Sequence, residues 1–427
     1  MKIFLDTIGC RLNQAEIESL ARQFREAGHE IVATATNADL AVINTCTVTS
    51  QAASDSRAAI RRVTRLGTGE VIVTGCWATL EPDEAAKLAG GRKIVPNMEK
   101  ERLAADLLGL RREFFDLEPL ARHPIPGQHA RTRAFIKAQD GCNNACTFCI
   151  TTVARGASRS RLVEPILTDV RSALDGGAKE IVLTGVHLGS WGQDFPTPKP
   201  LAELISTLLA RTSVPRLRLS SLEPWDLEAD FFSLWQDGRL CRALHLPLQS
   251  GSESVLKRMA RRTTPGSFAA LVQSARTAIP EVAITTDIIV GFPGETEAEF
   301  SETLEFIKFI NFAGGHVFTY SARPGTPAAR MPAQVPHEIR KERNAILQAV
   351  FRETASSYRK QFIGRKLPVL WEASDQFSDL GWQLEGLTDN YIRVKTTAPE
   401  PRWNQLDSVE LIENETDGLR GFIKNIH

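Results

Sequence analysis

Three cysteines occur within one short segment, Cys142-Asn-Asn-Ala-Cys146-Thr-Phe-Cys149. Their spacing is C-x3-C-x2-C, and an aromatic residue directly precedes the last cysteine. Three thiolates can hold three irons of a [4Fe-4S] cube and leave the fourth iron open to another ligand. The spacing therefore predicts an iron-sulfur site in which one iron has no protein ligand.

Other uses of these cysteines agree less well with the sequence. A structural zinc site usually takes four ligands from paired C-x2-C units, but there is no second such unit, and His123 and His129 lie upstream in a proline-rich stretch. Disulfides are disfavoured because the cysteine number, 7, is odd and because MKIFLDTIGC is not a signal sequence. Chance clustering of buried cysteines is the remaining alternative.

Three further cysteines, Cys10, Cys46 and Cys76, are far apart, but each follows a predicted strand. Short apolar segments such as ADLAVINTC and EVIVTGC alternate here with helical patterns near residues 14–27, 50–65 and 81–89. This βα order predicts a doubly wound parallel sheet, whose strands end at one common edge. We therefore expect the three thiols to converge and to hold a second [4Fe-4S] cluster, again with one open iron.

A second βα series follows residues 105–130, which contain several prolines and are predicted to be a linker. Its strands are predicted in RAFIKAQ, EIVLTGVHL, RLRLSSL, ALHLPLQ, AITTDIIVGF and GGHVFTYS. Six βα units predict a partial (β/α)6 TIM-type barrel, with its site at the carboxyl ends of the strands. The loop with Cys142, Cys146 and Cys149 follows the first strand and is expected at that mouth.

The last part of the chain has a different pattern. A helix is expected over 336–361, and LPVLWEA, WQLEGLTDN, YIRVKTT and SVELIEN then alternate apolar and polar residues. This pattern predicts a small antiparallel β-barrel. The chain is thus predicted to be α/β overall, with domains at residues 1–120, 128–362 and 363–427.

Composition limits the possible partners. Lys and Arg together number 51, as do Asp and Glu, so only local basic patches are expected. The basic clusters are Arg57, Arg61, Arg62 and Arg65; Arg155, Arg159 and Arg161; and Lys257, Arg258, Arg261 and Arg262. No apolar run approaches the length of a bilayer span, so no membrane partner is expected and the cytoplasm is the expected location. Lone Cys241 is expected in the core, and His187 is expected to be a hydrogen-bonded structural residue.

The C-x3-C-x2-C spacing with Phe148 resembles the radical S-adenosylmethionine (SAM) superfamily. That resemblance implies that the open iron binds SAM and that reductive cleavage yields a 5′-deoxyadenosyl radical. Phe148 would then offer an apolar face to the adenine. Residues at the strand ends are candidates for holding SAM: Thr184, Gly185, Ser220, Glu223 and Gly291. Gly185 and Gly291 would allow close approach of the backbone to the cofactor.

Almost the whole chain resembles the radical SAM methylthiotransferases. The motifs that carry the resemblance are IGCRLNQAE, INTCTVT, VTGCWA, DGCNNACTFC, EIVLTGVHLGSWG, RLSSLEP, HLPLQSGS, TDIIVGFPGET and FTYSARPGTPA. The resemblance implies an auxiliary cluster on Cys10, Cys46 and Cys76, a SAM cluster on Cys142, Cys146 and Cys149, and a carboxyl-terminal RNA-binding TRAM domain. It also implies an electron donor such as flavodoxin or ferredoxin, a sulfur donor, and two uses of SAM.

The motifs GCRLNQ, NTCTVT and LTGVHLGSWG are most similar to the branch that modifies N6-threonylcarbamoyladenosine in the anticodon loop of tRNA. The alternatives are isopentenyladenosine in tRNA, an aspartate of a ribosomal protein, a first cluster that only relays electrons, and a non-catalytic RNA-binding iron-sulfur protein. Two segments depart from the family pattern. Ile-Thr-Thr-Val-Ala-Arg-Gly156 lacks a usual Pro-Tyr pair, and the residues after Met259 lack a common tyrosine. Arg155, Arg159 and Arg161 could meet phosphate, acidic side chains or the SAM carboxylate.

Overall fold

The computed structural model describes residues 1–91, 93–111, 132–378 and 381–423. The chain divides into two compact units: Met1–Asn144 with Ile150–Lys199, and Ala145–Cys149 with Pro200–His427. Across the described ranges, no helix is long and apolar enough to cross a bilayer. Most of the predicted linker, with His123 and His129, lies outside the described residues, as does the predicted boundary between the first two domains.

The first unit begins with a parallel five-stranded sheet in the order β2-β1-β3-β4-β5. The strands are β1 (Lys2–Thr7), β2 (Glu30–Val32), β3 (Leu40–Thr45), β4 (Glu70–Gly75) and β5 (Ile94–Val95). The helices are α1 (Arg11–Glu26), α2 (Ser50–Arg65), α3 (Cys76–Leu80), α4 (Pro82–Leu88) and α5 (Leu103–Leu108). The predicted doubly wound sheet is confirmed.

Alternation along the strands explains why helices cover both faces of this sheet. In β3, Val42 belongs to a core cluster with Phe24 of α1, whereas Ile43 belongs to a second cluster with Ile60 of α2. Each such fully buried side chain contributes about 1.5–3 kcal/mol relative to exposure. The linker prediction is wrong at residues 105–108, because the buried Ala105 and the flanking leucines pack α5 into the first cluster.

The remainder of the first unit contains strand β6 (Arg133–Lys137), which pairs in parallel with β9 (Glu180–Thr184). Between them lie the short antiparallel pair β7 (Gln139–Asp140) and β8 (Arg159–Ser160), and helices α6 (Thr151–Arg155) and α7 (Val163–Asp175). Helix α6 begins two residues after Cys149, so the cysteine loop leads directly into it.

The second unit continues the βα alternation. Its strands are β10 (Arg216–Leu219), β11 (Ala243–His245), β12 (Ala283–Val290) and β13 (Gly314–Thr319), of which the last three form a parallel sheet. Its helices are α8 (Leu201–Arg211), α9 (Glu253–Arg258), α10 (Pro265–Ala278), α11 (Glu297–Ile310) and α12 (His337–Lys360). All six predicted strands of the (β/α)6 region are present. Only 3₁₀ turns, Pro224–Asp226 and Ala229–Gln236, connect β10 to β11, so this connection has no α-helix.

The second unit ends in a closed five-stranded barrel in the order β14-β15-β16-β18-β17. The strands are β14 (Lys366–Ser378), β15 (Gly381–Thr388), β16 (Arg393–Ala398), β17 (Leu406–Asn414) and β18 (Leu419–Ile423). The predicted barrel is confirmed, but it is not wholly antiparallel. Strand β18 lay outside the predicted set, and it closes the barrel by pairing in parallel with β16.

Candidate functional site

The structure brings the ends of three cysteine-bearing strands together. Cys10 follows β1, Cys46 follows β3 and Cys76 follows β4, and these strands are adjacent in the sheet. A Cβ on Gly9, whose φ is +104°, would lie 2.5 Å from Cys46 Sγ, so the loop before Cys10 contacts Cys46 directly. The predicted convergence of the strand ends is therefore confirmed, while the ligand roles of the thiols stay a prediction.

Burial strongly affects these thiols. It raises the pKa of Cys46 to about 11, and the neighbouring Cys10 adds to the rise. Burial also raises the pKa of Cys10, although Arg155 opposes the increase. Across the described ranges, no three His, Cys, Asp or Glu side chains already form a metal site. Three thiols at one sheet edge are nonetheless a suitable donor set for iron, because a bound cation replaces the thiol protons.

A buried polar network lies beside these cysteines and centres on Arg155 at the end of α6. Arg155 Nη1 donates to Glu16 Oε1 and to Asp140 Oδ1, each at 2.9 Å, and Nη2 donates to Asn13 Oδ1 at 2.6 Å. Lys100 Nζ donates to Glu16 Oε2 at 2.8 Å. Burial alone would raise the pKa of Glu16, but Arg155 and then Lys100 hold it well below its usual range. Arg155 and Lys100 thus favour the charged form of Glu16.

Two asparagines connect this network to the cysteine loops. Asn13 Nδ2 donates to Ile8 O at 2.8 Å and to Thr45 O at 3.0 Å, which joins the loops after β1 and β3. Asn97 Nδ2 donates to Cys76 Sγ at 3.5 Å and to the α6 carbonyl of Ala154 at 2.9 Å. Neither asparagine was predicted from the sequence to belong to the site. Asn13 could have been found, since it follows Cys10 by three positions in GCRLNQ.

The loop with the C-x3-C-x2-C spacing passes from one unit to the other. In the first unit, Cys142 N donates to Gly156 O at 3.0 Å, and Asn144 N donates to Cys142 Sγ at 3.4 Å. In the second unit, Cys149 N donates to Cys146 O at 3.1 Å. Backbone hydrogen bonds thus fix Cys142 within the first unit and Cys146–Cys149 within the second.

Phe148 packs in the second unit against an apolar cluster that includes Met259, Phe292 and Tyr320. Thr147 supports this packing, because its N donates to Met259 O at 3.0 Å. Phe148 therefore has a structural role, and its predicted contact with adenine stays a prediction.

Glu223 is paired with a buried arginine that contacts Cys146. Arg261 Nη2 lies 2.6 Å from Glu223 Oε2, and Arg261 Nη1 lies 3.7 Å from Cys146 Sγ. The guanidinium also stacks over Trp225, with its carbon 4.4 Å from the ring centroid. Burial raises the pKa of Cys146, and Arg261 opposes this rise. Arg261 is therefore a component of this loop's environment, which the sequence analysis did not identify.

The other predicted SAM residues differ in what surrounds them. The Oγ of Ser220 is buried and has no hydrogen-bond partner among the described residues. Thr184 is buried at the end of β9. Gly185 faces Gln139, whose Oε1 would lie 2.9 Å from an added Cβ. Gly291, with φ of +70°, faces the stem of Arg340. Close packing against Gln139 and Arg340 is thus sufficient to explain the two glycines. Ser220, in contrast, has a buried oxygen without a hydrogen-bond partner among the described residues.

Two histidines that the sequence analysis did not select flank Asp287. His245 Nε2 lies 3.2 Å from Asp287 Oδ2, and His316 Nδ1 lies 3.1 Å from Asp287 Oδ1. Burial would raise the pKa of Asp287, but the two histidines lower it far below its usual range. Their place on neighbouring parallel strands could have suggested the cluster, because such side chains line one sheet face.

Several other predictions can be compared with the structure. Cys241 is buried, as expected. His187 is also buried, and its Nδ1 lies 3.3 Å from Asn144 Nδ2, in agreement with a structural role. The possible phosphate contact of Arg155 is wrong, because its side chain is buried among acidic partners. Arg258 is likewise paired, 2.8 Å from Glu299.

Comparison with known proteins identifies the family. The family model described as Radical SAM superfamily matches residues 136–307, and that described as Uncharacterized protein family UPF0004 matches residues 2–95. The solved structure of the radical SAM methyltransferase TsrM from Kitasatospora setae covers 77% of this chain and 75% of its own chain, with a TM-score of 0.60. At 14% identity, this match supports the fold alone.

The relatives are more specific. The threonylcarbamoyladenosine tRNA methylthiotransferase MtaB of Bacillus subtilis (strain 168) is 38% identical over 95% of this chain and 93% of its own length. The tRNA-2-methylthio-N(6)-dimethylallyladenosine synthase of Cereibacter sphaeroides (strain ATCC 17029 / ATH 2.4.9) is 31% identical over 98% of each. Similarity of this extent, over a chain with both cysteine sets, shows that the protein belongs to the radical SAM methylthiotransferases, enzymes that use SAM and [4Fe-4S] clusters.

Proposed function

We propose that this enzyme converts N6-threonylcarbamoyladenosine, directly 3′ of the anticodon in tRNA, to its 2-methylthio derivative. The observation that carries the proposal is the 38% identity to the Bacillus subtilis MtaB over nearly the full length of both chains. The strand-edge cysteines support it, because sulfur transfer needs a sulfur-bearing site in addition to a radical source.

Six cysteines would hold the two clusters. Cys10, Cys46 and Cys76 would ligate the auxiliary cluster, and Cys142, Cys146 and Cys149 would ligate the SAM cluster. Residues at the strand ends would hold SAM: Thr184, Gly185, Ser220, Glu223 and Gly291, with Phe148 at the adenine. When bound, the SAM cluster would supply the electron that cleaves SAM to a 5′-deoxyadenosyl radical. The auxiliary cluster would supply the sulfur that is transferred.

Further residues would position the SAM cluster and SAM, and the carboxyl-terminal barrel would bind RNA. Arg261 holds Glu223 in place and contacts Cys146, while Ser220 offers a buried oxygen that a ligand can satisfy. We propose that residues 363–427, which contain the carboxyl-terminal barrel, form the TRAM domain. It exposes Phe377, Trp403 and Phe422, which supports contact with unpaired bases, since aromatic side chains stack on them.

The proposed partners follow from the reaction. Cleavage of SAM requires an electron donor such as flavodoxin or ferredoxin, and each turnover consumes sulfur that a donor must restore. Because the proposed substrate is the anticodon loop of tRNA, the proposed location is the cytoplasm. The proposed domains are residues 1–120, 128–362 and 363–427.

The function is tested by mass spectrometry of nucleosides from tRNA of cells that lack this protein, with and without the gene restored. Loss and recovery of 2-methylthio-N6-threonylcarbamoyladenosine are expected. Loss of the 2-methylthio form of isopentenyladenosine instead would assign the enzyme to the other tRNA substrate. Unchanged nucleosides would refute the tRNA assignment, and ribosomal proteins would then be examined for methylthio-aspartate.

Replacement of Ser220 by alanine tests the SAM pocket. Because a net hydrogen bond contributes about 0.5–1.5 kcal/mol, we expect SAM to bind about three- to tenfold more weakly. Stability should not fall, because the free protein loses only an unsatisfied buried hydroxyl. Calorimetric titration of SAM into the cluster-loaded enzyme measures the affinity. Ser274→Ala is the control, because the Ser274 hydroxyl on α10 donates only to the carbonyl of Ala270 in the same helix, and equal affinities of the two variants would contradict the assignment.

A further inference from the structure

Arg155 connects the segments that follow the two cysteine sets. It ends α6, which begins two residues after Cys149, and it binds Asn13 and Glu16 of α1, which begins directly after Cys10. Only about 1% of Arg155 is exposed, so water cannot screen its charge effectively. Arg155 is therefore held by four hydrogen bonds to the side-chain oxygens of Glu16, Asp140 and Asn13. Asn13 lies three residues after Cys10.

The buried charges of this network do not cancel. Three cations, Lys100, Lys137 and Arg155, are at most 9% exposed, while only two anions, Glu16 and Asp140, are buried to the same degree. Glu101 pairs with Lys137 at 2.7 Å, but about half of its side chain lies in water. Within this network, the buried cations therefore outnumber the buried anions by one.

Hydrogen bonds connect this network to the cysteines. Asn13 Oδ1 accepts from both Arg155 Nη2, at 2.6 Å, and Cys10 Sγ, at 3.9 Å. Cys76 Sγ accepts from Asn97 Nδ2 at 3.5 Å, and the same nitrogen donates to the carbonyl of Ala154, the residue before Arg155. Lys100 is also fixed, because its Nζ donates to Glu16 Oε2 at 2.8 Å and to Asn44 Oδ1 at 2.9 Å. Cys10 and Cys76 are thus each linked through one asparagine to Arg155 or to the helix that it ends.

We propose that Arg155, assisted by Lys100, is the buried counter-charge of the auxiliary cluster and raises its reduction potential. The inference rests on the proposed function, in which Cys10, Cys46 and Cys76 hold that cluster. Each added electron makes a thiolate-ligated cluster more negative, and a fixed cation in a poorly solvated interior favours the reduced form. Arg155 acts as a positioning residue through its charge, since the substrate is not required to touch it.

The test uses the full chain with Cys142, Cys146 and Cys149 all replaced by alanine, so that only the auxiliary cluster is loaded. Its midpoint potential is measured by redox titration followed by electron paramagnetic resonance. In this background, Arg155→Gln should lower the ratio of reduced to oxidised cluster at a given potential about tenfold, which is 59 mV for a one-electron couple. Arg155→Lys keeps the charge and should restore most of the potential.

Arg22→Gln is the matched control. Arg22 is also an ion-paired arginine of the first unit, 2.8 Å from Glu26 and 3.2 Å from Asp169, but it does not contact the network around Glu16 in the described structure. Its replacement should leave the potential unchanged. An equal shift in this variant would show a general effect of removing a cation from this unit and would refute the inference.

The possible outcomes separate the inference from the function on which it rests. If the background variant binds no iron, the ligand assignment fails, and with it the proposed function. If the cluster forms but Arg155→Gln leaves the potential unchanged, only the inference fails. If Arg155→Gln does not fold, Lys100→Gln is measured in its place and should shift the potential in the same direction. No shift in that variant would equally overturn the inference.

Discussion

Replacement of Cys46 by alanine is expected to abolish methylthiolation of tRNA while leaving SAM cleavage largely intact. Cys46 is one of three thiols at the edge of the first sheet, and two thiols cannot hold a cube in the same way. The proposed radical site uses a separate cysteine loop. The measurement counts 5′-deoxyadenosine and the 2-methylthio nucleoside in the same anaerobic reaction.

Two matched variants make this result interpretable. Cys146→Ala removes a proposed ligand of the SAM cluster and should abolish both products. Cys241→Ala alters a buried cysteine outside both sets and should retain both. If Cys46→Ala slows SAM cleavage as strongly as it slows sulfur insertion, the first cluster is an electron relay rather than the sulfur-bearing site.

Replacement of Arg261 by methionine is expected to destabilise the second unit and to reduce iron loading of the SAM cluster. Arg261 is nearly fully buried, pairs with Glu223 at 2.6 Å and stacks on Trp225. Methionine would leave the carboxylate of Glu223 without its cation. Removal of one partner of a buried pair costs about 3–5 kcal/mol, and the lower end applies here because a fifth of the Glu223 side chain remains exposed.

Arg258→Met is the control for this experiment. Arg258 lies three residues earlier and pairs with Glu299, but a third of its side chain is exposed, so its loss should cost about 1 kcal/mol or less. Urea unfolding monitored by tryptophan fluorescence gives the difference in stability, and iron per chain gives the loading. Equal urea midpoints for the two variants would show that Arg261 contributes no more than the partly exposed Arg258.

The sequence by itself determined the elements and their order. Strand and helix periods in the first hundred residues predicted the doubly wound sheet, and that topology predicted that the ends of the strands before Cys10, Cys46 and Cys76 would lie together. The six strands of the central region followed from the same periods. These predictions succeeded because apolar periodicity is local and because parallel strands share one edge.

Pairing within the last barrel was less accessible to sequence reasoning. Alternation predicted strands, but it does not specify which strands are neighbours. The parallel contact between β16 and β18 arises because β18 returns along the open side of β16 and closes the barrel. Helix α5 was missed for a similar reason, since its few leucines and alanines form a helix only when they pack on α1 and the sheet.

The roles of charged residues were decided by the tertiary structure alone. Arg155 and Arg261 belong to sequence clusters that resemble solvated basic patches, yet both are buried and paired with acids from distant segments, Glu16 and Glu223 respectively. A charged side chain can be buried only where partners offset its desolvation, and those partners are separated from it by more than a hundred residues in one case and by 38 in the other. Local sequence therefore identified the cysteines, whereas long-range packing determined the electrostatic environment around them.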